Sequence, residues 1–157
     1  MLMEEIEQAF PAKRRPQLLT VLAILSFAGS GISFFSYLMM SLYYNTFLEV
    51  FQNNLADTYA QIGLEIDSEL IVEFFRKAGR PFFILSTLAY AGSLFGVRKM
   101  WNLQKVGLHY YTISQLIVLL LPLLFVSNNL SAFPGLMFTL LFVLLYYRSF
   151  KMIENET

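Results

Sequence analysis

Cysteine is absent from the 157-residue chain, which excludes disulfides, thiolate metal sites and cysteine nucleophiles together. Charge is also scarce, at 14% of residues, where soluble domains carry roughly 25%. Eleven basic and eleven acidic side chains cancel, so no long-range cationic field exists to recruit nucleic acid. Histidine occurs once, as His109. An intramembrane protease needs paired aspartates, a serine with a histidine, or a metal motif such as H-E-x-x-H; the expected spans contain no aspartate and the single histidine excludes H-E-x-x-H. We expect no enzyme activity, no cofactor and no metal site.

What the chain has in excess is apolar surface: 57% of residues are hydrophobic and 17% aromatic. From Arg80 to Val126, an apolar run (Pro81 to Val97), a short basic turn (Arg98 to Lys105) and a second apolar run (Val106 to Val126) form a transmembrane hairpin. The flanking apolar stretches then also span. The expected fold is all-α: an integral membrane four-helix bundle forming a single domain over 1–157. Its spans lie at about 17–44, 81–97, 106–126 and 132–148, with one or two amphipathic extracytoplasmic helices between spans 1 and 2, in the segment 45–80.

Gln17 to Tyr44 lacks any charge and would reach ~42 Å as a helix, beyond a hydrocarbon core of ~30 Å, so it tilts or protrudes. Its basic start, Lys13-Arg14-Arg15, imitates a secretory signal cleaved near Ala28, but the apolar run continues to Met40, which favours an uncleaved anchor. Before it, Met1 to Ala12 reads as a loose tail, with a short amphipathic surface turn as the alternative.

Small residues recur in the first two spans. Ser26, Gly29, Ser30 and Ser33 flatten one side of span 1, with Ala23 one turn before; Ala89, Gly92, Ser93 and Gly96 do the same in span 2. Such faces let helices approach closely in lipid, where van der Waals packing replaces the hydrophobic drive. They predict a tight contact between spans 1 and 2. The likeness between Leu25–Ser30 and Leu88–Ser93, each downstream of an Arg-Pro pair, is ascribed to chance because the offsets differ by two residues.

Between those spans, Phe47, Phe51, Leu55, Tyr59 and Ile62 follow helical spacing. A second stripe uses Leu70, Ile71, Phe74 and Phe75, after a break at Gly63 and a cap at Asp67 or Ser68. Glu49, Asp57, Glu65, Asp67, Glu69 and Glu73 form a solvated face in preference to a cation site, because the alternating ligand pattern of a calcium loop is missing.

Trp101, Tyr43, Tyr44, Tyr110, Tyr111, Tyr146 and Tyr147, near the span ends, form an aromatic belt. Span 3 is the most polar: His109, Thr112 and Gln115 form a candidate stripe facing the bundle, read first as interhelical hydrogen bonding, and Pro122 can kink its far half. Asn129-Leu130-Ser131 matches a glycosylation acceptor, a common pattern close to the membrane here. No Asp, Glu, Lys or Arg lies within the spans up to Tyr147, so proton transfer through buried carboxylates has no carrier.

Placing both termini and the Arg98–Lys105 turn on one side collects Lys13, Arg14, Arg15, Arg98, Lys99, Lys105, Arg148 and Lys151 there, eight positive charges against Arg76, Lys77 and Arg80 opposite. The positive-inside rule then puts both termini in the cytoplasm. Arg15-Pro16 through Gly31, followed by Lys105-x-Gly107, Tyr111 and Gln115, resembles small, uncharacterised four-span membrane proteins of bacteria. The resemblance implies a bacterial inner-membrane location and carries over no activity. The expected role is a non-enzymatic accessory or scaffold protein in the lipid bilayer, binding a membrane-protein partner or forming a homo-oligomer. A small oligomeric transporter or channel subunit lined by the span 3 stripe is the alternative, and a lipid-modifying enzyme comes third.

Overall fold

In hydrocarbon every backbone N–H and C=O must find its partner within the chain, and runs this apolar satisfy that demand as helices. The computed structural model describes residues 16–53, 68–126 and 132–155. It is all-α: α1 (Gln17–Leu42), α2 (Tyr44–Asn53), α3 (Ser68–Trp101), α4 (Val106–Phe125) and α5 (Ala132–Asn155), with no strand among the described residues. All but α2 are long and apolar enough to cross a membrane. The surface agrees with a lipid solvent, since Ile32, Leu88 and Leu124 are 70%, 63% and 75% exposed. The N-terminal turn, Asp57, the break at Gly63, the cap at Asp67 and the Asn129 acceptor lie outside the described residues.

The four long helices close into a bundle in which α1 packs on α3, α3 on α4, α4 on α5 and α5 on α1. Two apolar clusters show that neighbours run antiparallel. One joins Leu19, Leu22 and Ala23 of early α1 to Val97 and Met100 of late α3, Tyr111 of early α4, and Tyr146, Phe150 and Ile153 of late α5. This is the basic end of the bundle. The other joins Phe75, Ala78, Phe82 and Phe83 of early α3 to Leu121 near the end of α4, with Tyr37 and Met40 of α1 packed around them.

At that far end the amphipathic segment folds onto the spans. The apolar face of α2, Phe47 and Phe51, meets α3, with ring centroids of Phe51 and Phe75 4.8 Å apart and those of Phe75 and Phe83 5.0 Å apart. Such pairs contribute about 0.5–1.5 kcal/mol beyond area burial. The Tyr44 hydroxyl donates to the Phe75 carbonyl at 2.9 Å. The second expected amphipathic helix does begin at Ser68, but it is the first part of α3, joined to the span through a bend at Gly79 (φ 64°, ψ 168°), a backbone region open essentially to glycine alone. Just beyond the bend, Arg80 Nε donates to the Ser41 carbonyl at 3.0 Å in the last turn of α1, a cation on a helix C-terminus. Glu73 and Lys77 form an exposed i,i+4 ion pair at 2.7 Å, as befits a solvated face.

The hairpin between α3 and α4 is held by two devices. In the turn, Gln104 N–H donates to Lys99 C=O and Leu103 N–H to Met100 C=O, the two bonds of a Schellman motif. Leu103 sits at φ 58° where glycine is usual, and its side chain packs against the basic-end core. Above the turn the two backbones nearly touch. A Cβ added to Gly96 would lie 2.6 Å from Tyr111 N and 2.9 Å from the Gly107 carbonyl oxygen; one added to Gly107 would lie 2.5 Å from the Gly96 carbonyl oxygen. Pro122 does not interrupt α4, which is continuous to Phe125.

The small-residue faces are therefore divided differently from expectation. Ser93 does meet α1, through Ser30, whereas Gly92 and Gly96 face α4: a Cβ on Gly92 would stand 2.6 Å from Ser114 Oγ. Successive helical residues point about 100° apart, so one short run of small residues serves two neighbours. A Cβ on Gly29 would meet nothing within 4 Å. We predict that Gly96→Ala lowers stability by about 1–3 kcal/mol, the cost of overpacking against backbone that cannot rotate away, while Gly29→Ala leaves it unchanged. Thermal unfolding of both variants in mild detergent checks this, and equal melting temperatures would place the α3–α4 contact elsewhere.

Candidate functional site: a polar groove within the bundle

Between the two apolar clusters lies a layer of hydroxyls. Ser26, Ser30 and Ser33 enter it from the middle of α1, Tyr90 and Ser93 from α3, Tyr111, Ser114 and Gln115 from α4, and Thr139 and Tyr146 from α5. Ser30 and Ser93 share a buried hydrogen bond of 2.8 Å, and Gln115 Nε2 donates to the same Ser93 oxygen at 3.1 Å, so one serine joins three helices. The Tyr146 hydroxyl donates to Ser26 Oγ at 2.9 Å, tying α5 to α1. Tyr146 is fully buried and its ring meets that of Tyr111 edge-on, with centroids 5.4 Å apart.

Of these groups Ser26, Ser30, Ser33, Tyr90, Tyr111, Gln115 and Thr139 line a groove of ≈ 230 Å³ whose remaining wall is Leu25, Gly29, Phe138 and Phe142. Its rim is exposed: Leu25 by 53% and Phe138 by 66%, with Gly29 between them, so the groove opens toward lipid along the α1–α5 boundary. Hydroxyls and a carboxamide donate and accept hydrogen bonds but do not ionise near neutral pH, so the groove can orient and hold a partner. Its volume falls below the roughly 300–1,000 Å³ of pockets that take drug-sized ligands.

The sequence-derived candidates scatter around this groove. Ser26, Gly29, Ser30, Ser33 and Gln115 line it, and Ser93 is buried behind Ser30 and Gln115, hydrogen-bonded to both. Ala89 is buried, while Gly92 and Gly96 belong to the α3–α4 contact. The stripe His109, Thr112, Gln115 does not face the bundle as a unit: Gln115 points to Ser93, Thr112 is half-buried and His109 is exposed. Steps of three residues fall about 60° short of a full turn each, which carries His109 and Gln115 roughly 120° apart. The aromatic belt is likewise partial. Tyr43, Tyr110 and Tyr147 are exposed, as a belt requires, but Tyr111 and Tyr146 are interior. Nothing in the spacing of the pairs 110–111 and 146–147 tells which tyrosine turns inward, because adjacent helical positions lie about 100° apart and both can face lipid, as Leu123 and Leu124 do.

A second cleft, ≈ 490 Å³, lies between α2 and early α3 and is lined by Phe51, Gln52, Glu69, Val72, Glu73 and Arg76. Its acidic groups are exposed, and among the described residues no three His, Cys, Asp or Glu side chains gather as a metal site would need.

Fold and groove together define an integral membrane protein of the all-α, four-helix-bundle class. No protein-family model, curated protein or solved structure matches the chain.

Removing the shared serine oxygen with Ser93→Ala deprives both Ser30 and Gln115 of a partner. We expect a loss of about 0.6–1.7 kcal/mol for each interhelical bond broken. His109→Gln, on the exposed face, should leave the melting temperature unchanged. Unfolding in detergent reads both, and the reverse order would remove Ser93 from its central place.

Proposed function

We propose that the protein is a non-enzymatic accessory or scaffold protein of the membrane that receives a transmembrane helix of another membrane protein in the groove between α1 and α5. One observation carries this reading: the groove is open to lipid beside Gly29, with hydrogen-bonding groups at its floor and a small residue at its rim. Close approach over a small residue, completed by interhelical hydrogen bonds, is how helices associate where burial from water gives no drive. The absence of a carboxylate or imidazole among the groove's lining residues supports binding over catalysis. A transporter or channel subunit would need His109, Thr112 and Gln115 to line one path, and their divergence around α4 gives that reading less support.

In the same reading both termini face the cytoplasm of a bacterium and the protein resides in its inner membrane. The charge asymmetry supports the orientation, with eight of eleven basic residues at one end.

Gly29→Leu separates docking from folding, because a Cβ there meets nothing within 4 Å and the longer side chain enters a groove that is open in the free protein. The variant is expected to keep the wild-type melting temperature while losing at least ten-fold of any stoichiometric partner that co-purifies in mild detergent. Undiminished co-purification would exclude the groove as the docking surface. Orientation is tested apart: single cysteines at Asp57 and Asn102, in a chain with none of its own, should differ in labelling by a membrane-impermeant thiol reagent in intact cells, with only Asp57→Cys modified. Labelling of Asn102→Cys alone, or of both, reverses or removes the assignment.

A further inference from the structure

At the basic end, the first turn of α4 and the last turns of α5 part to form a cleft of ≈ 240 Å³ lined by Lys105, Leu108, His109, Tyr147, Phe150 and Lys151. Each side supplies residues at spacings of three and four, so two facing ridges, one per helix, make the walls. Phe150 is buried and Leu108 half-buried, giving an apolar floor, while Lys105, His109, Tyr147 and Lys151 are exposed. Among the described residues that line it none is acidic.

Depth is the second observation. Lys105 precedes the first residue of α4 and Lys151 lies in the final turns of α5, where helices leave the hydrocarbon. One turn inward from His109 and Tyr147 on the same helix faces, Ile113 and Leu144 are 57% and 64% exposed. The surface thus passes within about two turns from the Lys105 and Lys151 ammonium groups, through an imidazole and a phenol, to bare aliphatic side chains. An amphiphile with an anionic head and an aliphatic tail has that same sequence of chemistry, and basic pockets between membrane helices are suited to phosphate-bearing headgroups.

We infer that this cleft binds an anionic phospholipid. The Lys105 and Lys151 ammonium groups hold the phosphate, His109 and Tyr147 offer hydrogen-bond donors beside it, and an acyl chain lies along Ile113 and Leu144. Lysine suits the task as a flexible cation whose aliphatic stem covers apolar surface while its head reaches the interface. This accounts for the one histidine of the chain, which the groove does not use.

The test uses the purified full chain in mild detergent, titrated in parallel with phosphatidylglycerol, with phosphatidylcholine of the same acyl chains, and with inorganic phosphate. Melting temperature and bound lipid by native mass spectrometry are the readouts. Phosphatidylglycerol is expected to raise the melting temperature and to remain bound at one per chain, with neither other additive doing so. Lys105→Gln/Lys151→Gln should fold as the wild type does and bind phosphatidylglycerol roughly 30-fold more weakly, from the usual worth of two basic residues at an anionic surface. Arg98→Gln, exposed at the same end but outside the cleft, should bind normally. Equal response to phosphatidylcholine would overturn the inference, as would equal loss in Arg98→Gln. Full stabilisation by inorganic phosphate would make the occupant a soluble phosphate and overturn the lipid assignment. Should the double variant unfold, Lys151→Gln alone decides: undiminished binding by it rejects the cleft.

Discussion

The close approach of α3 and α4 at Gly96 and Gly107 is the contact on which the rest of the bundle depends. Each glycine brings the partner's backbone to a distance that no side chain would allow, so the hairpin is set by main chain against main chain. In lipid this matters more than in water, because tight dispersion contact is the chief attraction between apolar helices. With α3 and α4 locked, Ser93 and Gln115 stand side by side, and Ser30 of α1 completes a hydrogen-bonded junction of three helices. The fourth long helix joins by other means, through the Tyr146–Ser26 bond and the apolar contacts of Phe150 and Ile153.

That difference in attachment shapes the functional surface. Because α5 is secured mainly by its C-terminal half, its earlier residues, Phe138 and Thr139, border a groove instead of closing it. The hydroxyl layer that satisfies the bundle internally is thereby presented to the membrane at one boundary. A polar layer between two apolar clusters, beneath an apolar exterior, departs from the soluble plan. It also means that any specific recognition within the bilayer is concentrated where the interior is reached.

The two ends of the bundle are finished differently. At the far end, α2 and early α3 cover the spans with a dense set of aromatic rings, and Arg80 caps α1. At the basic end Lys105 and Lys151 stand near the ends of α4 and α5, and a cleft opens between those two helices. The exposed Glu69 and Glu73 belong to one end and the cleft with Lys105 and Lys151 to the other.

The number of spans, their approximate limits and the separation of charge were determined by the sequence alone. Each depends on the transfer of a whole segment between water and hydrocarbon, a quantity that sums over some twenty residues and tolerates local error. The amphipathic start of α3 at Ser68 was legible for a similar reason, as an average over several turns. The tertiary structure alone decided which neighbour each small or polar residue serves. Gly92 and Ser93 adjoin in sequence yet face different helices, and Tyr110 and Tyr111 lie on opposite sides of the protein–lipid boundary. Direction around a helix changes by about 100° per residue, and what lies in that direction depends on how the other helices are arranged. Composition and spacing therefore identified the residues able to pack and to hydrogen-bond, while only the packing of α1 against α3 and α4 turned Ser30, Ser93 and Gln115 into one site.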